Sequence, residues 1–175
     1  GFTVATTDNE FNNANGTYVS WGFRKAEKFF DIQTWSGNDV QGREISHNLD
    51  SVPGMMIVKQ TNGAYNWQIY HVSNGNTKFM EFTNGTPGTS IAVWDNTTPT
   101  DSVFTVGSEY GVNQSGKTYV AYLFASDAGG YGDDGTENII KCGSYTGSGS
   151  VGNDVSLGWE PQFLLVKQTT ASGNG

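Results

Sequence analysis

Cysteine occurs once in the 175 residues, at Cys142, so no disulfide framework can hold the chain together. Basic residues are scarce: nine Lys and Arg stand against seventeen Asp and Glu, a formal net charge of -8. DNA, RNA and anionic membranes are attracted by clustered Lys and Arg, so they are poor partners for this chain. Charged residues of both signs make up only 15% of the sequence, below the quarter that is usual for a globular chain. No apolar run reaches the length of a membrane span, and no signal-peptide pattern stands at the start. Amphipathic helix patterns are missing as well; "RKAEKFF" at 24–30 is too short to nucleate one alone.

Glycine (24 residues) and aromatics (13%) are what the chain has in abundance, set among Asn, Ser and Thr. That mixture fits short strands and many turns. "FFDIQTW", "REISHNL", "MMIVKQT", "WQIYHV", "KFMEFT", "IAVW", "VFTVG" and "TYVAYLF" read as strands, separated by turn clusters such as "SGND", "SNGNT" and "TNGTPGT". Val120, Tyr122 and Phe124 share one face by alternation, whereas "MMIV" and "FLLV" do not alternate and read as strands covered on both faces. The expected fold is all-β, a jelly-roll-like β-sandwich.

The blocks recur in order. "GFTV" at 1–4 returns as "VFTV" at 103–106, and "GTYVSWGF" at 16–23 as "GKTYVAYLF" at 116–124. "FFDIQTWSG" at 29–37 aligns with "IIKCGSYTG" at 139–147, and "PGMMIVKQT" at 53–61 with "PQFLLVKQT" at 161–169. The period, about 100–110 residues, is the size of a domain rather than of a solenoid repeat. Residues 1–23 therefore read as the end of a preceding unit and 29–124 as one complete unit. Residues 125–138 read as a Gly/Asp-rich linker and 139–175 as the beginning of a following unit. The expectation is a window from a longer tandem array. The last segment is expected to form three strands, "NIIKCGSY", "GNDVSL" and "QFLLVKQT", satisfied by the rest of an array or by neighbouring subunits.

Several patterns carry chemistry on paper. "GVNQSGKT" at 111–118 fits the phosphate-loop pattern, but that loop needs a helix opening at its end, and "TYVAYLF" reads as a strand. The copy "NNANGTYV" has no lysine, so a hairpin turn with Gly116 at positive φ is expected. His47 falls on Val155 in its own repeat, and His71 alternates with Trp67 and Ile69 as a packed residue does. Cys142 falls on Ile32, the pattern of a small core hydrophobe. Asp133, Asp134 and Glu137 in "DDGTE" lack EF-hand spacing and leave calcium open. Asp50, Asp95, Asp101 and Asp154 sit in turns; Glu81 stands apart as a carboxylate on a strand. Exposed aromatics can stack on sugar rings, and the candidates for glycan contact are Trp35, Tyr65, Trp94 and Tyr145, with Trp67 beside them. No catalytic, cofactor or metal residues are assigned.

"WSGNDVQGREISHNLDSVPGMMIVKQT", "NWQIYHVS", "VWDNTTPTDSVFTVG", "NQSGKTYVAYLFA" and "GSYTGSGS", taken in order, resemble a repeated β-domain of tail-fibre and related virion proteins of marine bacteriophages. The resemblance implies a virion appendage component with a structural or host-recognition role, a homo-oligomer that meets other virion proteins and host surface glycans, with no cofactor. A stand-alone carbohydrate-binding module is the alternative, and a polysaccharide-degrading hydrolase is the third reading.

Overall fold

The structure, a computed structural model, describes residues 1–4, 6 and 8–170. Its strands are β1 (Phe30–Ser36), β2 (Arg43–Ser46), β3 (Met55–Gln60), β4 (Gln68–His71), β5 (Lys78–Phe79), β6 (Gly88–Thr89), β7 (Val103–Val106) and β8 (Thr118–Phe124). Two single helical turns, α1 (Asn9–Asn12) and α2 (Ile91–Trp94), complete the elements. A four-stranded antiparallel sheet runs β1-β8-β3-β4, and β2-β7 and β5-β6 form two small sheets. The first strand of the unit pairs with the last and the second with the last but one. That nesting is what a jelly-roll arrangement requires, and the fold is an all-β sandwich. The fourth strand departs from it by folding back on β3 as a hairpin at the sheet edge.

Alternation decides which side chains enter the core. In β8, Tyr119, Ala121 and Leu123 are buried, while Val120, Tyr122 and Phe124 lie half-buried on the other face. In β3, Met56 and Val58 point inward and Met55 and Ile57 outward. The inner face of the large sheet meets Ile45, Phe104 and Val106 of the β2-β7 sheet, with Leu49, Val93, Trp94 and Val112 filling the space between. Each such side chain contributes about 1.5–3 kcal/mol by leaving water. The outer face is aromatic: Phe30 packs on Phe124 and stacks on Tyr122, and Phe23 caps the group against Phe29, Phe30 and Phe124.

Three expectations need correction. "IAVW" is not a strand but the turn α2: the Ser90 hydroxyl accepts from the Ala92 N–H, and Asp95 ends the turn at φ 51. That turn carries Val93 and Trp94 into the core, a placement an extended segment could not give both neighbours. The loop at 111–118 is not a hairpin, because it joins β7 of a small sheet to β8 of the large one. It is followed by a strand, and Gly116 does adopt φ 76. Finally, "NIIKCGSY", "GNDVSL" and "QFLLVKQT" form no strands across 138–170. Their counterparts β1, β2 and β3 each have β8 or β7 laid against them, and these segments have no such ladder. Residues 171–175 of the expected following unit lie outside the described residues.

One part of the neighbouring repeat is nevertheless formed. At 109–119, the Val112 and Asn113 N–H groups donate to Glu109 O, Lys117 N–H to Gln114 O, and Gln114 N–H to the Tyr119 hydroxyl. At 8–18, the Phe11 and Asn12 N–H groups donate to Asp8 O, Gly16 N–H to Asn13 O, and Asn13 N–H to the Tyr18 hydroxyl. Asn15 takes φ 66 where Gly116 takes φ 76. The same turn is built twice, bond for bond.

Candidate functional site

Around β4 and β5 the loops gather a polar cluster centred on a buried carboxylate. Alternation about Trp67 puts Asn66 and Gln68 on one side of the chain, and both reach Glu81 just beyond β5. Gln68 Nε2 donates to Glu81 Oε1 at 2.9 Å and Asn66 Nδ2 to Oε2 at 3.1 Å; Asn84 Nδ2 donates to the same Oε2. Glu81 and Gln68 are both buried, and the Gln68 Oε1 atom has no hydrogen-bond partner. A cleft of about 550 Å³ opens over this cluster, lined by Phe79, Glu81, Asn84 and the loop 85–88. Gly88 lies flat on the Phe79 ring, where a Cβ would come within 2.4 Å of it, so glycine keeps the cleft wall close.

Aromatic groups lie beside this cluster. Trp67 meets Phe82 edge to face at 5.9 Å, and Lys59 Nζ sits 5.9 Å from the Trp67 ring. Lys59 also donates to Tyr65 O at 2.6 Å. The Tyr65 hydroxyl donates to Glu109 Oε1 at 2.8 Å. Burial, then that bond and the Glu109 charge, push its pKa up to about 12. Gly111 is wedged under Tyr65 and Gln68, with 2.7 Å left for a Cβ to either, and so links the two groups. A carboxylate held by amides in a cleft that Phe79 lines is suited to holding a hydroxyl-rich ligand.

Of the aromatics expected to contact glycan, Tyr65 adjoins this cluster half-buried, and Tyr145 is exposed on the segment after the linker. Trp35 and Trp94 are corrected: both are core residues. Trp35 stacks on Tyr119 at 5.5 Å and donates its Nε1–H to Val112 O at 3.0 Å. Trp94 is 1% exposed and packs edge to face on Tyr70. Neither ring face is open to a sugar, because strand alternation turns Trp35 inward and α2 does the same for Trp94. Asn66, Gln68, Asn84 and Glu109 went unread in the sequence. The Asn-Trp-Gln alternation ahead of the carboxylate in "KFMEFT" was the available signal.

The other candidates are accounted for structurally. His47 is buried against Phe104; its Nδ1 accepts from Leu49 N–H, its Nε2 contacts Thr100 O at 3.3 Å, and burial lowers its pKa. His71 is half-buried and accepts from Ser73 N–H, and burial lowers its pKa also. Burial, then the Asp127 charge, push the Cys142 thiol up to about 11, which keeps it protonated and a poor nucleophile. Asp134 is engaged with the Thr136 hydroxyl and N–H. Among the described residues no three His, Cys, Asp or Glu side chains are grouped to hold a metal, Asp133, Asp134 and Glu137 included. Lys117 of the phosphate-loop pattern precedes a strand, without the helix N-terminus that phosphate binding uses.

The fold and this cluster define an all-β sandwich with a cleft over a buried, amide-held carboxylate. The chain belongs to the family described as Domain of unknown function (DUF7483), whose model matches residues 1–174. No curated protein and no solved structure matches it. No helix among the described residues is long and apolar enough to cross a membrane.

Proposed function

We propose that this chain is a non-enzymatic, repeating β-module of a bacteriophage tail fibre or similar virion appendage, with a structural or host-recognition role. The observation that carries the reading is the doubled turn: residues 8–18 rebuild the hydrogen bonds of 109–119, down to the tyrosine hydroxyl that closes it. Repetition at that level suits an array whose units stack into a fibre. The ordered motif resemblance supplies the virion, and with it homo-oligomerisation, contact with other virion proteins and a location outside the host cell. Mass spectrometry of purified particles from the source culture tests this. The chain is expected among the particle proteins; its presence in cell lysate with absence from particles would overturn the reading.

The Glu81 cleft favours a second reading, a carbohydrate-binding module, which a recognition role would use on the virion as well. Three amide bonds hold Glu81, and of the roughly four acceptor sites of a carboxylate that leaves about one for a ligand hydroxyl in the cleft it lines. On a panel of host-surface glycans, binding by the full chain should fall at least tenfold in Glu81→Gln. Release of sugar products from host polysaccharide, lost in the same variant, would make the protein a hydrolase instead.

A further inference from the structure

The sheet of the complete unit is held by pairing its early strands with its last: β1 with β8, and β8 with β3. The flanking segments carry these strands apart from each other. Residues 17–23 correspond to β8, while 139–146 and 163–168 correspond to β1 and β3. Each segment therefore holds the ladder partners of the other, and neither holds its own. The apolar side chains of these segments are exposed: Val19, Trp21 and Leu164 are 81%, 66% and 67% open to solvent, although Met56, the counterpart of Leu164, is 1%.

Topology brings the two segments to one place. Phe30 and Phe124 are register partners, so the chain enters β1 and leaves β8 side by side. Met55, which opens β3, pairs with Phe124 from its other side. At this edge the segments already touch: Phe163 lies 6.4 Å from Phe23 and 5.9 Å from Trp21, ring centre to ring centre. Phe23 corresponds to Phe124 and Phe163 to Met55. The contact between the flanks thus joins the same two positions that are Cα partners in the complete unit.

We infer that residues 17–23 and 163–168 of one chain pair in the β8–β3 register, with 139–146 adding on the far side of 17–23, to build a second, discontinuous copy of the large sheet. The occupant of each bare strand is the other flank of the same chain rather than a second copy. Both flanks hang from one rigid sandwich, which gives them a high effective concentration for each other. Pairing also covers the apolar positions and edges that otherwise invite association.

Disulfide trapping in the full chain tests this, with Cys142→Ser removing the lone thiol. Phe23→Cys with Phe163→Cys, and Val19→Cys with Lys167→Cys, copy the register pairs Phe124–Met55 and Val120–Lys59. Partner Cα atoms in an antiparallel ladder stand about 4.5–5.5 Å apart, within disulfide reach. Val19→Cys with Phe163→Cys would be displaced by roughly 13 Å along the strand, beyond that reach. Under mild oxidation both in-register pairs should close within monomers at least tenfold faster than the displaced pair. The second pair keeps Trp21, Phe23 and Phe163, so loss of the aromatic contacts cannot hide the result. Equal trapping of all three pairs, failure of both in-register pairs, or closure mainly as dimers and ladders would each overturn the inference.

Discussion

Phe104 and Phe2 stand at the same position of one repeated strand, yet one is sealed in the core and the other faces water. The complete unit and its flanks share motifs throughout, so residue choice does not explain the difference. Range does. The turn at 8–18 closes its hydrogen bonds within a few residues, and it forms in both places. The strands at 139–146 and 163–168 need partners far away in sequence, and they stay unladdered although they copy β1 and β3. Strand propensity states that a segment fits a pleated, half-buried surface; it does not supply that surface.

The largest expected break in this comparison is at the core. Phe104→Ala should cost about 3–5 kcal/mol in denaturant unfolding, because the sealed site cannot refill. Phe2→Ala should cost under about 0.5 kcal/mol, as exposed substitutions do. A comparable loss at both positions would mean that residues 1–4 are sealed in solution as β7 is in the complete unit. The tyrosine that closes each turn sharpens the contrast. Tyr119 accepts from Gln114 N–H and donates to Tyr110 O at 2.7 Å beneath a buried ring. Tyr119→Phe should cost about 1–3 kcal/mol for two polar groups left without a partner. Tyr18→Phe, at a half-exposed ring, should change the unfolding midpoint by less than a third as much.

Alternation and the ordered repeat made the sandwich legible, together with the strand after Gly116 and the packed role of His71. What they could not show was where the chain turns into the core. "IAVW" has strand composition, and only the Ser90 cap and the left-handed Asp95 make it helical. Trp35 and Trp94 were offered to sugar because a large aromatic in a turn-rich chain serves a core or a binding face equally well; the sheet register decides between them. In the cleft, Glu81 stands out in the sequence as a strand carboxylate, although it lies just beyond β5, and its amide partners come from two places, Asn66 with Gln68 before it and Asn84 after it.

The smallest expected effect concerns charge and separates the two copies by pH. Asp31 is buried in β1, and burial alone would raise its pKa. The Lys25 ammonium at 2.7 Å, the Asn48 N–H, the Gln33 amide and the Ile32 N–H outweigh that and hold it down to about 2. An unfolded aspartate titrates near 3.9, so the folded state binds its proton less readily. The stabilisation is therefore complete above about pH 4 and is lost as pH falls from there through about 2. Lys25 is half exposed, which limits the contribution to about 1–2 kcal/mol once solvent screening is allowed for. At the equivalent position the flank has Lys141, whose contact with Asp127 is a loose 3.9 Å at the surface. In urea unfolding followed from pH 5 to pH 2, the native chain should lose that much more stability than Asp31→Asn, while Lys141→Ala should track the native curve. Parallel curves for the native chain and Asp31→Asn would show that the Lys25 pair does not hold in solution, and that the complete unit owes its stability to the core alone.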